Sequence, residues 1–99
     1  MEELQEEFLV NYPNRTFVTY KDMRIFYEFT PQQYQMQQWF VIIHRTGETQ
    51  TYSCIDCNWT YTKAEAIEWG VAKIDEFIAT HTKTERGWLP NFLFSQRRD

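Results

Sequence analysis

No stretch of this chain approaches the roughly 20 consecutive apolar residues that a membrane-spanning helix needs. Met1 is followed by Glu2 and Glu3, not by a basic stretch and an apolar run, so no secretory leader is expected. Cysteine occurs twice, as Cys54 and Cys57. Without a leader these are expected as reduced thiols, and the cytoplasm is the expected compartment. Glycine occurs three times, at Gly47, Gly70 and Gly87, too scattered for a phosphate-cradling loop. Ten Lys and Arg stand against fourteen Asp and Glu, for a net charge of −4. A chain with that balance and no basic stripe is a poor general binder of polyanions. There is no internal repeat and no low-complexity tract.

Aromatic residues are abundant: eight Phe, six Tyr and four Trp in 99 residues. Each can bury about 150–250 Å², so a few fill the core of a single small domain and the rest need another cover. The 42% apolar and 24% charged content is that of a globular chain. Charge is uneven along it. Glu2, Glu3, Glu6 and Glu7 make the start acidic, while Lys83, Arg86, Arg97 and Arg98 outnumber Glu85 and Asp99 in the tail.

Periodicity predicts an α+β domain in four parts: a short N-terminal helix and turn over 1–13, strands over 16–56, a helix over 62–81, and a tail over 82–99. Leu4 and Phe8 share one side of the first helix, and Asn11-Tyr12-Pro13-Asn14 ends it. Residues 17–20 are β-prone. Residues 23–29 alternate, with Met23, Ile25, Tyr27 and Phe29 on one face and Arg24, Phe26 and Glu28 on the other. A second strand is expected over 36–44, with Trp39, Val41 and Ile43 opposite Phe40, Ile42 and His44. A turn at Gly47 leads to a third strand over 49–55, completing a three-stranded antiparallel meander.

The long helix carries the clearest signal. Thr62 and Glu65 have capping-box spacing, and Ile67, Val71, Ile74 and Ile78 follow as an apolar stripe widened by Gly70 and Phe77. Mid-helix Gly70 costs about 1 kcal/mol relative to Ala, which implies close approach of the helix to the sheet. One helix covers one sheet face. Phe26, Phe40, Ile42 and Tyr52 are then left on the far face, an apolar patch of the kind rarely left in water. Its candidate covers are the N-terminal helix through Leu4 and Phe8, the irregular aromatic tail through Trp88, Leu89, Phe92 and Phe94, or another chain.

Chemistry-bearing motifs are few. Cys54-Ile55-Asp56-Cys57 has the spacing of a zinc or redox pair. Only His44 and His81 could add ligands, and the motif is expected at a strand end, not at the helix N-terminus that lowers a thiol pKa. It reads as two small strand residues. Neither histidine is tied by spacing to a nucleophile or carboxylate, and Glu65, Glu68, Asp75 and Glu76 form a solvated helix face. No catalytic residue, metal or cofactor is expected.

Tyr20-Lys21-Asp22-Met23-Arg24-Ile25, Trp39-Phe40-Val41-Ile42-Ile43, Thr62-Lys63-Ala64-Glu65-Ala66-Ile67 and Ile74-Asp75 together resemble a pattern in small bacterial proteins that fold as a three-stranded sheet with one helix. The resemblance covers roughly residues 20–78 and implies fold and size without active residues. The stretch from Trp39 to Ala66 is also similar to the arm-type DNA-binding domain of tyrosine integrases, whose sheet is lined by basic residues. This chain departs there: its third strand reads Thr49-Gln50-Thr51-Tyr52-Ser53, without Lys or Arg. The element order further resembles double-stranded-RNA-binding domains, but Lys63 and Lys73 on an acidic helix do not make their lysine cluster. The resulting expectation is a non-enzymatic protein working through protein contacts, with another protein or with itself, and without nucleic acid or membrane. Its candidate surface is Phe26, Phe40, Ile42, Tyr52, Trp88, Phe92 and Phe94. The alternative is a nucleic-acid-binding module that uses the aromatic sheet face.

Overall fold

The computed structural model describes residues 4–9, 12–31, 36–45, 54–85 and 87–95. Its order is β1 (Glu6–Leu9), β2 (Tyr12–Tyr20), β3 (Met23–Phe29), β4 (Trp39–Arg45), β5 (Cys54–Thr60), α1 (Lys63–Thr80), β6 (His81–Thr84), β7 (Gly87–Pro90) and α2 (Phe92–Ser95). The first five strands make one antiparallel sheet in sequence order, and β6 and β7 pair separately.

The fold is α+β with one long helix, as expected, but the main sheet has five strands instead of three. The N-terminal segment is strand β1, not a helix. Leu4 and Phe8 offered one helical repeat, and a helix of about nine residues is marginal in water without tertiary support. Pairing with nine-residue β2 supplies that support to a strand instead. It also places Glu6 on the helix side of the sheet, where it accepts a hydrogen bond from the Tyr27 hydroxyl and an ion pair from Lys63 at 2.6 Å. The β2–β3 hairpin escaped the sequence reading because its two-residue turn is Lys21-Asp22, without glycine. Both residues have positive φ, 50° and 65°, as a type I′ turn requires. Tyr20 and Lys21 each donate to the Asp75 carboxylate at 2.8 Å, tying this hairpin to α1.

Helix α1 begins where the cap predicted. The Thr62 hydroxyl accepts from the Glu65 N–H at 3.1 Å and donates to its carboxylate at 3.2 Å. The residues that α1 buries are Ala66, Gly70 and Ile74, with Ile67, Val71, Phe77 and Ile78 half-buried beside them. The stripe is thus centred one position earlier than the isoleucines alone indicate, because the two small residues let the helix backbone reach the sheet. The core beneath is Val18, Met23, Ile25, Tyr27, Val41 and Ile43.

The tail is not irregular. It forms the β6–β7 hairpin, turning at Gly87 with φ 102°, followed by the helical turn α2. Its reason for order is the end of α1, whose last carbonyls need partners. Asn91 donates its N–H to the Thr80 carbonyl at 2.8 Å and its side-chain amide to Ala79 at 3.2 Å. Trp88 packs edge-on to Phe77, with ring centroids 5.4 Å apart.

The Glu6 site carries a pH dependence. Bonds from Lys63 first, and then Tyr27, hold the Glu6 carboxyl below its ordinary value of 4.5. Burial, and then the bond to Glu6, pushes the Tyr27 phenol up. A lowered carboxylate stabilises fully above its ordinary value, and the contribution disappears as pH falls through the folded-state value. Glu6→Gln keeps an acceptor for Tyr27 but removes the charge. Since Glu6 is partly exposed, the variant is expected to be less stable by only about 0.5–1 kcal/mol at pH 7. Urea unfolding at pH 7 and pH 3 checks this: the gap between variant and parent narrows at the lower pH.

Candidate functional site

The face of the main sheet turned away from α1 is built in rows across the strands. Register places Glu7, Phe17, Phe26, Ile42 and Cys57 in one row. Glu28, Phe40 and Trp59 form the next, and Thr19, Arg24, His44 and Cys54 the row on the other side. Phe26, Phe40, Ile42 and Trp59 are half-buried. Cross-strand ring pairs join them, with centroids 5.0 Å apart for Phe17 and Phe26 and 5.1 Å apart for Phe40 and Trp59. Phe26 meets the His44 ring edge-on at 5.3 Å. The Arg24 guanidinium lies 4.8 Å over Phe17, which helps to leave that ring only 4% exposed. A shallow depression of about 180 Å³ opens between Phe26, Glu28, Phe40 and Ile42.

Three of the seven surface residues expected from sequence, Phe26, Phe40 and Ile42, therefore stand together. Tyr52 lies outside the described residues. Trp88 belongs to the end of α1, where it packs with Phe77. Phe92 and Phe94 are exposed on α2. Among the described residues, neither expected internal cover lies on the open face: β1 is an edge strand of the sheet itself, and the tail is fastened to the helix end. Trp59 was missed because the third strand was expected to end at Ile55, leaving residues 58–61 as a connection. Phe17 carried a readable signal, since in β2 it alternates with Val18.

Cys54 is the first residue of β5, at the strand end expected for it, and Cys57 lies within the strand, which runs on to Thr60. Both are exposed free thiols. In a regular strand, residues three apart point to opposite faces. Here His44 pairs with Cys54 while Ile43 pairs with Asp56, so β5 bulges by one residue at Ile55 and both thiols reach the open face. Partial desolvation, and then the neighbouring Cys57 and Asp56, push the Cys54 thiol up, which disfavours a nucleophilic thiolate. Asp56 is turned elsewhere, accepting from the Cys57 N–H at 2.8 Å and pairing with Lys73 at 3.5 Å.

A second hollow, between β5 and the first turns of α1, is lined by Asn58, Trp59, Thr60, Tyr61, Glu65, Glu68 and Trp69. It is wide and open to solvent. Among the described residues no three His, Cys, Asp or Glu side chains gather around a point that could hold a metal, and no helix is long and apolar enough to cross a membrane. No family model matches the chain, and neither a curated protein nor a solved structure was found to be similar to it.

Proposed function

We propose that this chain is a non-enzymatic protein that works through protein contacts, and that its open sheet face docks on a second copy of the same chain. The observation that carries the reading is the contiguous patch of Phe26, Phe40, Ile42 and Trp59, which no other described element covers. An isologous contact needs only this one patch on each copy.

Size supports a modest affinity. Strands spaced about 4.8 Å apart and rising about 3.4 Å per residue give this face roughly 500 Å² in projection. Side-chain relief brings that toward the ~800 Å² per partner of ordinary stable interfaces, at their lower end. A dilution-sensitive dimer is the expected product. The aromatic tail is a weaker candidate, because Phe92, Leu93 and Phe94 are consecutive on a single helical turn and cannot share one flat surface. Base stacking is disfavoured by charge. Glu7 and Glu28 share the face with the aromatics, and the guanidinium of Arg24 is engaged with Phe17.

Sedimentation equilibrium at two concentrations tests the reading. The parent chain is expected to move from monomer toward dimer as concentration rises, and Phe40→Glu to weaken association more than 100-fold while remaining folded. A strictly monomeric parent at high concentration contradicts it. Mixed oligonucleotides at low salt are expected not to bind.

A further inference from the structure

We propose that the outer edge of β5 takes up an extended peptide of alternating apolar and basic residues, which lies as an added antiparallel strand in the hollow beside α1. The inference uses the sheet edge instead of the open face, and so goes beyond the self-association reading. Among the described residues β5 pairs only with β4, and its other side is an open row of backbone groups. The opposite edge is blunted: β1 has four residues, Glu6 and Glu7 among them. β5 has seven residues without Lys, Arg or Pro. Its one charge, Asp56, is drawn to Lys73 at 3.5 Å.

The usable groups follow from one hydrogen bond. The Cys57 N–H donates to the Asp56 carboxylate at 2.8 Å, so it is turned away from β4. Backbone groups alternate along a strand, and pairing with β4 is regular from Cys57 to Thr60. The N–H and C=O of Trp59 therefore point out of the sheet edge, as does the Cys57 C=O. A single residue of an antiparallel strand exchanges both bonds with Trp59. Its side chain stands beside the Trp59 indole on the open face, where an apolar group suits it. Its two neighbours point to the helix side, into the hollow of about 390 Å³ that Tyr61, Glu65, Glu68 and Trp69 line. Among the described residues no Lys or Arg lines that hollow. Basic side chains of the peptide meet the Glu65 and Glu68 carboxylates there and lay their stems along Trp69. The indole already tolerates a cation, since the Lys73 ammonium lies 6.0 Å from its ring centroid.

The test titrates the full chain, in dilute solution, with a short capped peptide of alternating valine and lysine, followed by tryptophan fluorescence. Saturable binding is expected, with slower hydrogen exchange at the Trp59 amide in the bound state. Glutamate in place of lysine should weaken binding about tenfold or more, and Glu68→Gln should weaken the lysine peptide severalfold while leaving the cap of α1 intact. Methylating the valine amides, which face β5, should remove binding, whereas methylating the lysine amides, which face solvent, should leave it. Absence of saturable binding overturns the inference, as does equal binding of the glutamate peptide. Equal binding of the two methylated peptides, or an unchanged Trp59 amide, also overturns it, because the peptide would then be held by charge without joining the sheet.

Discussion

Gly70→Leu is expected to cost about 3 kcal/mol of stability, the upper part of the usual range for overpacking. Gly70→Ala is expected to be destabilising as well, by about 1 kcal/mol, although alanine is the better helix former by about that much. The sign is decided by space. A Cβ at position 70 would lie 2.6 Å from Ile25 Cγ2 and 2.9 Å from its Cδ1. Ile25 is completely buried between the sheet and α1, and Cγ2 is attached directly to its Cβ, so it cannot swing aside like the end of a long side chain. Either Ile25 leaves its rotamer or α1 lifts off β3, and both outcomes loosen Ala66 and Ile74 on the same stripe. Urea denaturation of the two variants checks the order. A Gly70→Ala chain more stable than its parent would show that the helix does not sit this close to the sheet.

Neighbouring isoleucines on β4 separate the two faces of the sheet. Ile43→Ala is expected to cost about 3–4 kcal/mol, as deletion of a fully buried aliphatic side chain does when its cavity cannot collapse. Ile43 is 0% exposed, lying in the core that α1 covers. Ile42 is half-buried on the opposite face, beside Phe26 and across from Cys57. Ile42→Ala is expected to cost only about 1 kcal/mol in dilute solution, because its side chain is only half-buried and part of it already meets water. Denaturation of both variants at low concentration measures the contrast. Equal losses at the two positions would mean that the far face is as well covered as the core face.

What could be read from the sequence follows the physics of each element. Helix α1 was legible because its start is a local event: Thr62 and Glu65 are three residues apart and need nothing distant to cap the helix. The alternation of β3 and β4 was legible for the same reason, and it placed Phe26, Phe40 and Ile42 on the open face correctly. Strand β1 was not, because its identity depends on a partner strand rather than on its own pattern, and Leu4 and Phe8 imitate a helical repeat. The tail hairpin is held by Asn91 on the carbonyls of Ala79 and Thr80, a bond made across about ten residues that no local pattern announces. The shared placement of the two thiols was not legible for a related reason. Spacing alone puts Cys54 and Cys57 on opposite faces of a strand, and only the bulge at Ile55 unites them. Trp59 entered the surface with the same shift of β5 toward the helix.

Association through the open face is most directly tested by hydroxyl-radical footprinting of the parent chain in dilute and concentrated samples, with oxidation mapped residue by residue. Protection that grows with concentration at Phe26, Phe40, Ile42 and Trp59, and not at Phe92, Leu93 or Phe94, is the expected result. Protection confined to the α2 residues, or a dimer that leaves the four face residues as reactive as in the monomer, would contradict the account.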